Sequence, residues 1–228
     1  MQFITTDSSA EFHGIKMMIY GRSGAGKTQL STTLNASDTL YIAAEPGTLT
    51  LRKFPAMRGI RITKAIEIHD TLEWLRGAAE AKQFQNIYFD SITEVAETVL
   101  SNAKGLSNDG RKAYGQLVDD MIPYIKGFRD LEGKNVIFTA KQDSVQDEVS
   151  KITLYGPNMP GRQLSRELPY MFDEVLRLGI GQTQEGVTYR FLQCKADLQY
   201  EAKDRSGVLE SVEPPDLGLL FQKILMRK

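Results

Sequence analysis

The chain contains few of the residues that mark secreted, membrane-bound or disulfide-stabilised proteins. Its single cysteine, Cys194, cannot form a disulfide within the chain. No run of apolar residues approaches the ~18 that cross a membrane, and the charged-then-apolar layout of a signal peptide is missing. A formal net charge of −1 disfavours a protein that coats nucleic acid with its whole surface. We therefore expect a protein of a reducing cytoplasm, without a membrane partner, that contacts nucleic acid only through local basic segments.

The remaining composition is that of an ordinary globular domain. Apolar residues make up 41% of the 228 positions and charged residues 25%, a balance that supports one sizeable core. We expect residues 15–228 to form a single domain. Residues 1–14 are polar with scattered aromatic residues, and we expect an N-terminal arm there, which either frays or adds a strand to a neighbouring subunit.

The most specific motif is GRSGAGKT at residues 21–28, a full match to the phosphate-cradling loop GxxxxGK[ST]. An apolar strand over residues 15–20 leads into it, and a helix over residues 27–34 is predicted to lead out. In such a loop the backbone N–H groups surround a polyphosphate, Lys27 reaches the outer phosphates and the Thr28 hydroxyl binds Mg²⁺. The predicted nucleotide-binding residues are Gly21, Arg22, Ser23, Gly24, Ala25, Gly26, Lys27, Thr28 and Gln29.

Three further apolar strands each end on a polar residue. Strands over residues 39–44, 86–91 and 135–140 lead to Glu45, Asp90 and Gln142. Ligands of open α/β sheets bind at the carboxyl ends of the strands, so these residues are expected to meet Gly21 at one edge of the sheet. The strand that closes on Asp90 has the form of a Walker B element, which makes Asp90 and Thr28 the predicted magnesium residues.

Hydrolysis at a P-loop also needs an acid that aligns the attacking water with the γ-phosphate. Many P-loop enzymes take it directly after the Walker B aspartate, but Ser91 stands there. Glu45 at the end of its strand is therefore the better candidate. Glu94 is a poorer one, because it lies on the helix beyond the strand.

The other elements follow from periodicity and turn residues. We expect a loop or short helix over 48–59, a peripheral strand over 60–66, a helix capped by Asp70 that runs to about 82, and a helix over 91–103. A polar loop over 104–114 precedes a helix over 116–131 that Pro123 interrupts. Residues 143–166 are expected to form a long, partly mobile loop or a hairpin, followed by antiparallel strands at 174–180 and 187–194, a polar stretch, and an amphipathic helix at 217–225.

Together, the strand-end motifs resemble RecA-like recombinases. IAAE at 42–45 is similar to the strand with their catalytic glutamate, YFDS at 88–91 to their Walker B element, and FTAKQ at 138–142 to the strand that ends in their γ-phosphate-sensing glutamine. YIAAEPG at 41–47, FDEV at 172–175 and KDR at 203–205 resemble small phage-encoded RecA-like ATPases of single-strand annealing recombination, over roughly residues 15–216. One departure is Lys141, where RecA has asparagine.

This resemblance implies the fold, the cofactors and the partners. The fold is a RecA-like P-loop NTPase core, an α/β domain with a mostly parallel sheet, flanking helices and an antiparallel C-terminal extension. The cofactors are ATP and Mg²⁺. The partners are single-stranded DNA, further copies of the chain in a ring or filament, and a single-strand-binding protein. The location is the cytoplasm, that of the bacterial host if the chain is phage-encoded.

The resemblance also implies functional residues outside the strand ends. Basic residues beyond the last core strands would reach the ATP of a neighbouring subunit, and the candidates are Lys195, Lys203 and Arg205. Cations interleaved with aromatic residues in two loops would bind DNA by phosphate contact and stacking. These are Lys104, Arg111, Lys112, Tyr114, Lys151, Tyr155, Arg162 and Arg166. Acidic residues at 143, 147 and 148 oppose this in the second loop.

Two other functions remain open from the sequence. A small-molecule kinase also uses a P-loop, although no arginine-rich lid that would grip the transferred phosphoryl group is evident. A P-loop module could instead bind ATP as a switch for protein assembly without handling DNA.

Overall fold

A computed structural model describes residues 14–45, 47–106 and 109–226. The predicted N-terminal arm, apart from Gly14, lies outside the described residues. No helix in the described part of the chain is long and apolar enough to cross a membrane.

Ten strands form the sheet, and six α-helices accompany it in the described ranges. The strands are β1 (Lys16–Gly21), β2 (Thr39–Ala43), β3 (Arg58–Arg61), β4 (Asn86–Asp90), β5 (Asn135–Gln146), β6 (Thr153–Pro157), β7 (Glu174–Gln182), β8 (Thr188–Gln193), β9 (Lys203–Asp204) and β10 (Val212–Glu213). The α-helices are α1 (Lys27–Leu30), α2 (Ala65–Gly77), α3 (Ile92–Leu106), α4 (Gly110–Arg129), α5 (Arg162–Glu167) and α6 (Leu217–Leu225). Short 3-10 helices cover Ser31–Thr33, Thr48–Lys53, Ala79–Gln83 and Leu168–Met171.

The main sheet has the order β10-β8-β7-β1-β5-β4-β2-β3. Every pair from β7 to β3 is parallel, whereas β8 and β10 extend the sheet antiparallel; β6 and β9 pair antiparallel with β5 and β7. The central strands β1, β2 and β4 are buried along their whole length, as expected where helices cover both faces of a parallel sheet. The predicted fold class is therefore confirmed.

Two apolar cores lie on the two faces of the sheet. The larger one joins strand residues such as Phe89 and Phe138 to α2, α3 and α4, and the smaller one joins Ile19 and Leu178 to α1 and α6. At about 25 cal/mol per Å² of buried apolar surface, these cores are the main favourable contribution to folding. They hold the carboxyl ends of β1, β5, β4 and β2 side by side, which is where the predicted site residues lie.

The predicted start of the second helix is wrong. Asp70 lies inside α2, which begins at Ala65. The carboxylate of Glu67 accepts hydrogen bonds from the backbone N–H groups of Thr63 and Lys64, at 2.6 and 3.0 Å. These bonds satisfy donors that the first helical turn leaves unpaired, so they set the boundary five residues before Asp70. The helix also ends at Gly77 rather than near residue 82.

The predicted polar loop over residues 104–114 is mostly helical. Lys104 lies in the last turn of α3, and α4 begins at Gly110 because the Asp109 side chain accepts the backbone N–H of Arg111 at 2.9 Å. The predicted interruption at Pro123 is also wrong, since α4 continues to Arg129. Buried side chains at 117, 121, 125 and 128 follow the helical period, and their packing outweighs the hydrogen bond that a proline removes.

Other boundaries shift by smaller amounts. The first helix is shorter than expected, with α1 ending at Leu30 and one 3-10 turn after it. The peripheral strand lies at Arg58–Arg61, at the edge of the sheet. Strand β5 continues beyond residue 140 to Gln146 and pairs with β6, so a hairpin replaces the long loop that was the alternative for residues 143–166. The antiparallel pair β7 and β8 and the final helix agree with the prediction.

Candidate active site

The P-loop connects β1 to α1 and has the backbone of a phosphate cradle. Gly24 and Gly26 have φ values of 76° and 104°, which L side chains rarely adopt. The Lys27 ammonium donates hydrogen bonds to the backbone oxygens of Gly21 and Arg22, at 2.8 and 3.2 Å. Burial lowers the pKa of Lys27, while the nearby carboxylates of Asp90 and Glu45 raise it. The lysine is thus held at the loop beside the two predicted acids.

Asp90 is the centre of the polar network at the strand ends. One of its oxygens, Oδ2, accepts hydrogen bonds from the Thr28 hydroxyl at 2.7 Å and from the Tyr41 hydroxyl at 2.6 Å. The other, Oδ1, accepts one from the Thr139 hydroxyl at 2.5 Å. Asp90 is only 3% exposed, and these bonds compensate for burying it. The carboxylate is therefore fixed next to the P-loop threonine.

Thr28 and Asp90 are suitable for Mg²⁺. Both offer oxygen, the donor that this hard cation prefers, and the hydrogen bond between them places the two oxygens 2.7 Å apart. The described residues include no group of three or more His, Cys, Asp or Glu that could hold a metal. A small oxygen set of this kind matches the habit of Mg²⁺, which keeps several waters and binds through one or two protein groups and substrate phosphates.

Glu45 follows β2 and is bonded to the residue after the Walker B aspartate. The Ser91 hydroxyl donates to Glu45 Oε1 at 2.7 Å. Glu45 also borders an open cavity of about 440 Å³, whose other walls include Leu51, Arg52 and Met57. A carboxylate that is held on one side and open on the other can orient a water molecule.

The competing acid has a different environment. Glu94 forms an ion pair with Lys141, and Lys141 Nζ also lies 3.2 Å from Glu97 Oε1. These two carboxylates raise the pKa of Lys141 against the opposing effect of its partial burial. Glu94 is thus already engaged by an ammonium, whereas Glu45 is open on one side, so the geometry favours Glu45 as the water-aligning acid.

Lys141 and Gln142 lie on opposite faces of β5. Thr139 bonds to Asp90, and Lys141, in register with Gly21, directs its ammonium to Glu94 and Glu97 of α3. Gln142 is on the other face, and its buried Oε1 has no hydrogen-bond partner in the described structure. Gln142 also pairs with Pro157, where the β5–β6 hairpin begins. It therefore lies between that hairpin and the nucleotide edge, by which we mean the edge of the sheet at the carboxyl ends of β1, β5, β4 and β2.

The three predicted finger residues lie away from the P-loop of their own chain. Lys195 follows the end of β8, and Lys203 pairs with Val175 near the start of β7, about three residues, or ~10 Å, before the level of Gly21. The Lys203 ammonium donates to the Pro169 carbonyl oxygen at 2.7 Å. Arg205 forms a 2.8 Å ion pair with Asp173. The role of these three residues at the nucleotide of another subunit stays a prediction.

Part of the predicted DNA-binding set is brought together. The Lys104 ammonium lies 5.4 Å from the centre of the Tyr114 ring, and that ring packs against Gly161, next to Arg162. Arg111 and Lys112 are on the first turn of α4, and Arg166 is on α5, all exposed. The segments around residues 104–114 and 161–166, although far apart in sequence, therefore form one surface, which we call the α4–α5 basic face.

The other two predicted DNA-binding residues are elsewhere. Lys151 is at the turn of the β5–β6 hairpin, in the left-handed region with φ 60°. Tyr155 stacks on Tyr200, with ring centres 4.7 Å apart. One face of the Tyr155 ring is thus already occupied, so at most one face is left for a base.

Sequence reasoning missed three residues of the site, Tyr41, Thr139 and Lys141. Each is a polar or aromatic residue within or just after a mostly apolar run, which is the signal that could have identified them. That signal alone is weak, because only the pairing of β2, β4 and β5 shows that these side chains converge on Asp90 and the P-loop.

Comparison with known proteins agrees with this geometry. A family of AAA domains, AAA_24, matches residues 13–206. No curated protein matches the chain. Similar solved structures include the flagellar accessory protein FlaH from Methanocaldococcus jannaschii, with 16% identity, coverage of 88% of this chain and 84% of that one, and a TM-score of 0.49. Another is a KaiC-like protein from Pyrococcus horikoshii OT3, with 13% identity, coverage of 79% and 78%, and a TM-score of 0.46. Since the family match spans most of the chain, this chain belongs to the AAA_24 family of AAA domains.

Proposed function

We propose that this chain is a Mg²⁺-dependent ATPase that binds single-stranded DNA and promotes strand annealing or pairing in recombination as an oligomer. The observation that carries the ATPase proposal is the hydrogen bond between Thr28 and Asp90, because it joins the P-loop to the Walker B carboxylate in one site. Lys27 and Glu45 lie at the same edge of the sheet.

Different residues of the chain have different roles in hydrolysis. The P-loop amides and Lys27 hold the phosphates and balance their charge. Thr28 and Asp90 would hold Mg²⁺, which would neutralise charge on the outer phosphates. Glu45, oriented by Ser91, accepts a hydrogen bond from the attacking water and aligns it with the γ-phosphate.

Hydrolysis is tested by measuring ATP turnover with Mg²⁺ and with EDTA, in the parent protein and in Lys27→Ala. We expect turnover to need Mg²⁺ and to fall about 100-fold or more in the variant, since Lys27 neutralises charge on the transferring phosphoryl group. Unchanged turnover in a folded Lys27→Ala protein would contradict the assignment. Nucleosides offered as acceptors test the kinase alternative, which would yield phosphorylated nucleoside.

Support for DNA binding comes from the α4–α5 basic face. In the described residues, Lys104, Lys112 and Arg162 form no ion pair with an acid, so their charges are available to phosphates. Tyr114, 42% exposed, adds a ring on which a base can stack. The annealing activity, the oligomer and the single-strand-binding partner rest on the resemblance to phage RecA-like ATPases.

The DNA-binding proposal predicts a position-specific salt dependence. Lys112→Ala and Arg162→Ala should weaken binding of an oligothymidylate, and each should reduce the slope of log K against log[salt] by about 0.7. Lys82→Ala is the matched control, since this exposed lysine lies in the 3-10 helix Ala79–Gln83 before β4. Equal slopes in all four proteins would contradict a role for this face. Hydrolysis without any DNA binding would favour the assembly-switch alternative.

A further inference from the structure

The antiparallel extension of the sheet places an arginine against the P-loop. A Cβ atom added to Gly26 would lie 3.0 Å from Nε and 3.3 Å from Cζ of Arg190. A side chain at Gly26 is disfavoured by the φ of 104°, and it would also require the Arg190 side chain to shift by a few tenths of an ångström. Arg190 is in β8, opposite Ile180 of β7, and the sequence motifs do not include it.

The position of Arg190 follows from the alternation of side chains in β8. Leu192 points into the core that contains Ala25 of the P-loop and Leu178 of β7. Arg190 is two residues away on the same face, and toward the carboxyl end of β7. On the opposite face, the rings of Phe191 and Tyr189 cover glycines of β7, which holds the two strands together there. The strand thus directs Arg190 to the phosphate cradle.

No residue in the described part of the chain competes for the Arg190 guanidinium. It forms no hydrogen bond or ion pair with any residue in the described ranges, unlike Arg205, which Asp173 holds. A guanidinium offers a planar fork of donors that matches phosphate oxygens and stays charged at all ordinary pH values. The triphosphate of ATP remains negative after it binds Mg²⁺, and Lys27 supplies a single positive charge from within the loop.

We propose that Arg190 binds the phosphates of the nucleotide within its own chain, as a second cation beside the P-loop. This inference rests on the proposed ATP site and deepens it, because it assigns to the C-terminal extension a part in nucleotide binding. The predicted trans fingers act from a neighbouring subunit, whereas Arg190 is part of the site of its own chain.

The test is equilibrium binding, which does not depend on hydrolysis. A fluorescent ATP analogue is bound to the parent protein, Arg190→Ala, Arg190→Lys and Arg58→Ala, and is displaced by ATP, GTP or inorganic tripolyphosphate. Arg58 is an exposed arginine of the edge strand β3, bonded to Gln83, and serves as the charge-matched control. We expect Arg190→Ala to lower the affinity for all three competitors by the same factor, about 10- to 100-fold. The affinities of Arg190→Lys should lie between those of Arg190→Ala and the parent, and those of Arg58→Ala should equal those of the parent.

Several results would overturn the proposal. Equal affinity in the parent and Arg190→Ala would show that the arginine does not touch the nucleotide. A weaker affinity for ATP with an unchanged affinity for tripolyphosphate would mean that Arg190 contacts the base or the sugar instead of the phosphates. Failure of the folded parent to bind ATP would refute the proposed function itself, which is a distinguishable outcome. Melting temperatures check folding, and Arg190→Gln supplies the same comparison if the alanine variant does not fold.

Discussion

The Ser91 hydroxyl donates a 2.7 Å hydrogen bond to the carboxylate of Glu45, so the residue after the Walker B aspartate positions an acid that comes from another strand. The two side chains are 46 positions apart in sequence. The backbone N–H of Ala44 also donates to the Asp90 carbonyl oxygen at 2.8 Å, which keeps the ends of β2 and β4 level. Serine thus takes a supporting role at a position where many P-loop enzymes carry the acid itself.

The first prediction concerns this pair. Glu45→Gln should bind ATP normally but lose hydrolysis by about 100-fold, because an amide cannot polarise the water as a carboxylate does. Ser91→Ala should lower kcat by about 10-fold with ATP affinity retained, since Glu45 keeps its charge but loses its orientation. Single-turnover hydrolysis and equilibrium ATP binding measure both effects. Normal turnover in Glu45→Gln together with loss in Glu94→Gln would reassign the acid.

The second prediction concerns coupling between DNA and hydrolysis. Gln142→Ala should keep basal hydrolysis but lose its stimulation by single-stranded DNA, because Gln142 lies between the nucleotide edge and the hairpin that starts at its pair with Pro157. Its unpartnered Oε1 is available for a contact that forms with the ligands. Gln146→Ala, at the exposed end of the same strand, is the control. The same fold-stimulation in Gln142→Ala and the parent protein would break this link.

The third prediction concerns the subunit boundary. Lys27→Ala and Arg205→Ala should each be inactive alone, and mixing them should restore some hydrolysis, because one subunit retains the finger and the other retains the P-loop. Replacing Arg205 also frees Asp173, so Asp173→Asn is the control for the loss of their ion pair. Mixed oligomers that form but show no activity would mean that the site is complete within one chain. Lys195→Ala and Lys203→Ala are each mixed with Lys27→Ala in the same way.

The fourth prediction concerns pH and stability. Burial, with the nearby Asp204 carboxylate, raises the pKa of Glu174 from 4.5 to about 8. The folded state therefore binds more protons than the unfolded state between these two values, and the free energy of unfolding should fall as pH rises from about 4.5 to about 8, with a slope of up to ~1.4 kcal/mol per pH unit.

Glu174→Gln should flatten that decline and stabilise the protein most near pH 8, since the amide has no charge to desolvate. Urea denaturation at several pH values measures the effect. Glu132→Gln, a change at an exposed acid in the turn before β5, is the control for the loss of one carboxylate. Parallel stability profiles for the parent and Glu174→Gln would contradict the burial argument.

Local sequence patterns were sufficient to predict much of the fold. Strands β1, β2, β4 and the first part of β5 appear as short apolar runs, because strands buried on both faces of a parallel sheet have no polar side to show. The glycines of the P-loop are equally direct, since their positive φ values need that residue type.

Helix boundaries could not be predicted as directly from the local sequence. Glu67 rather than Asp70 caps α2, and packing carries α4 through Pro123, because both outcomes depend on which competing contact is stronger in the folded chain. The β5–β6 hairpin was one of two alternatives for the same reason. Its pairing joins residues that no local signal connects.

The sequence by itself determined the phosphate cradle, the Walker B aspartate and the placement of Glu45 at a strand end, because each depends on residue types within one short segment. Only the tertiary structure decided which groups meet them. The bonds from Tyr41 and Thr139 to Asp90, the pairing of Lys141 with Glu94, and the approach of Arg190 to Gly26 all join distant segments. The order and register of the strands create these contacts, and strand register is set by the packing of the whole core.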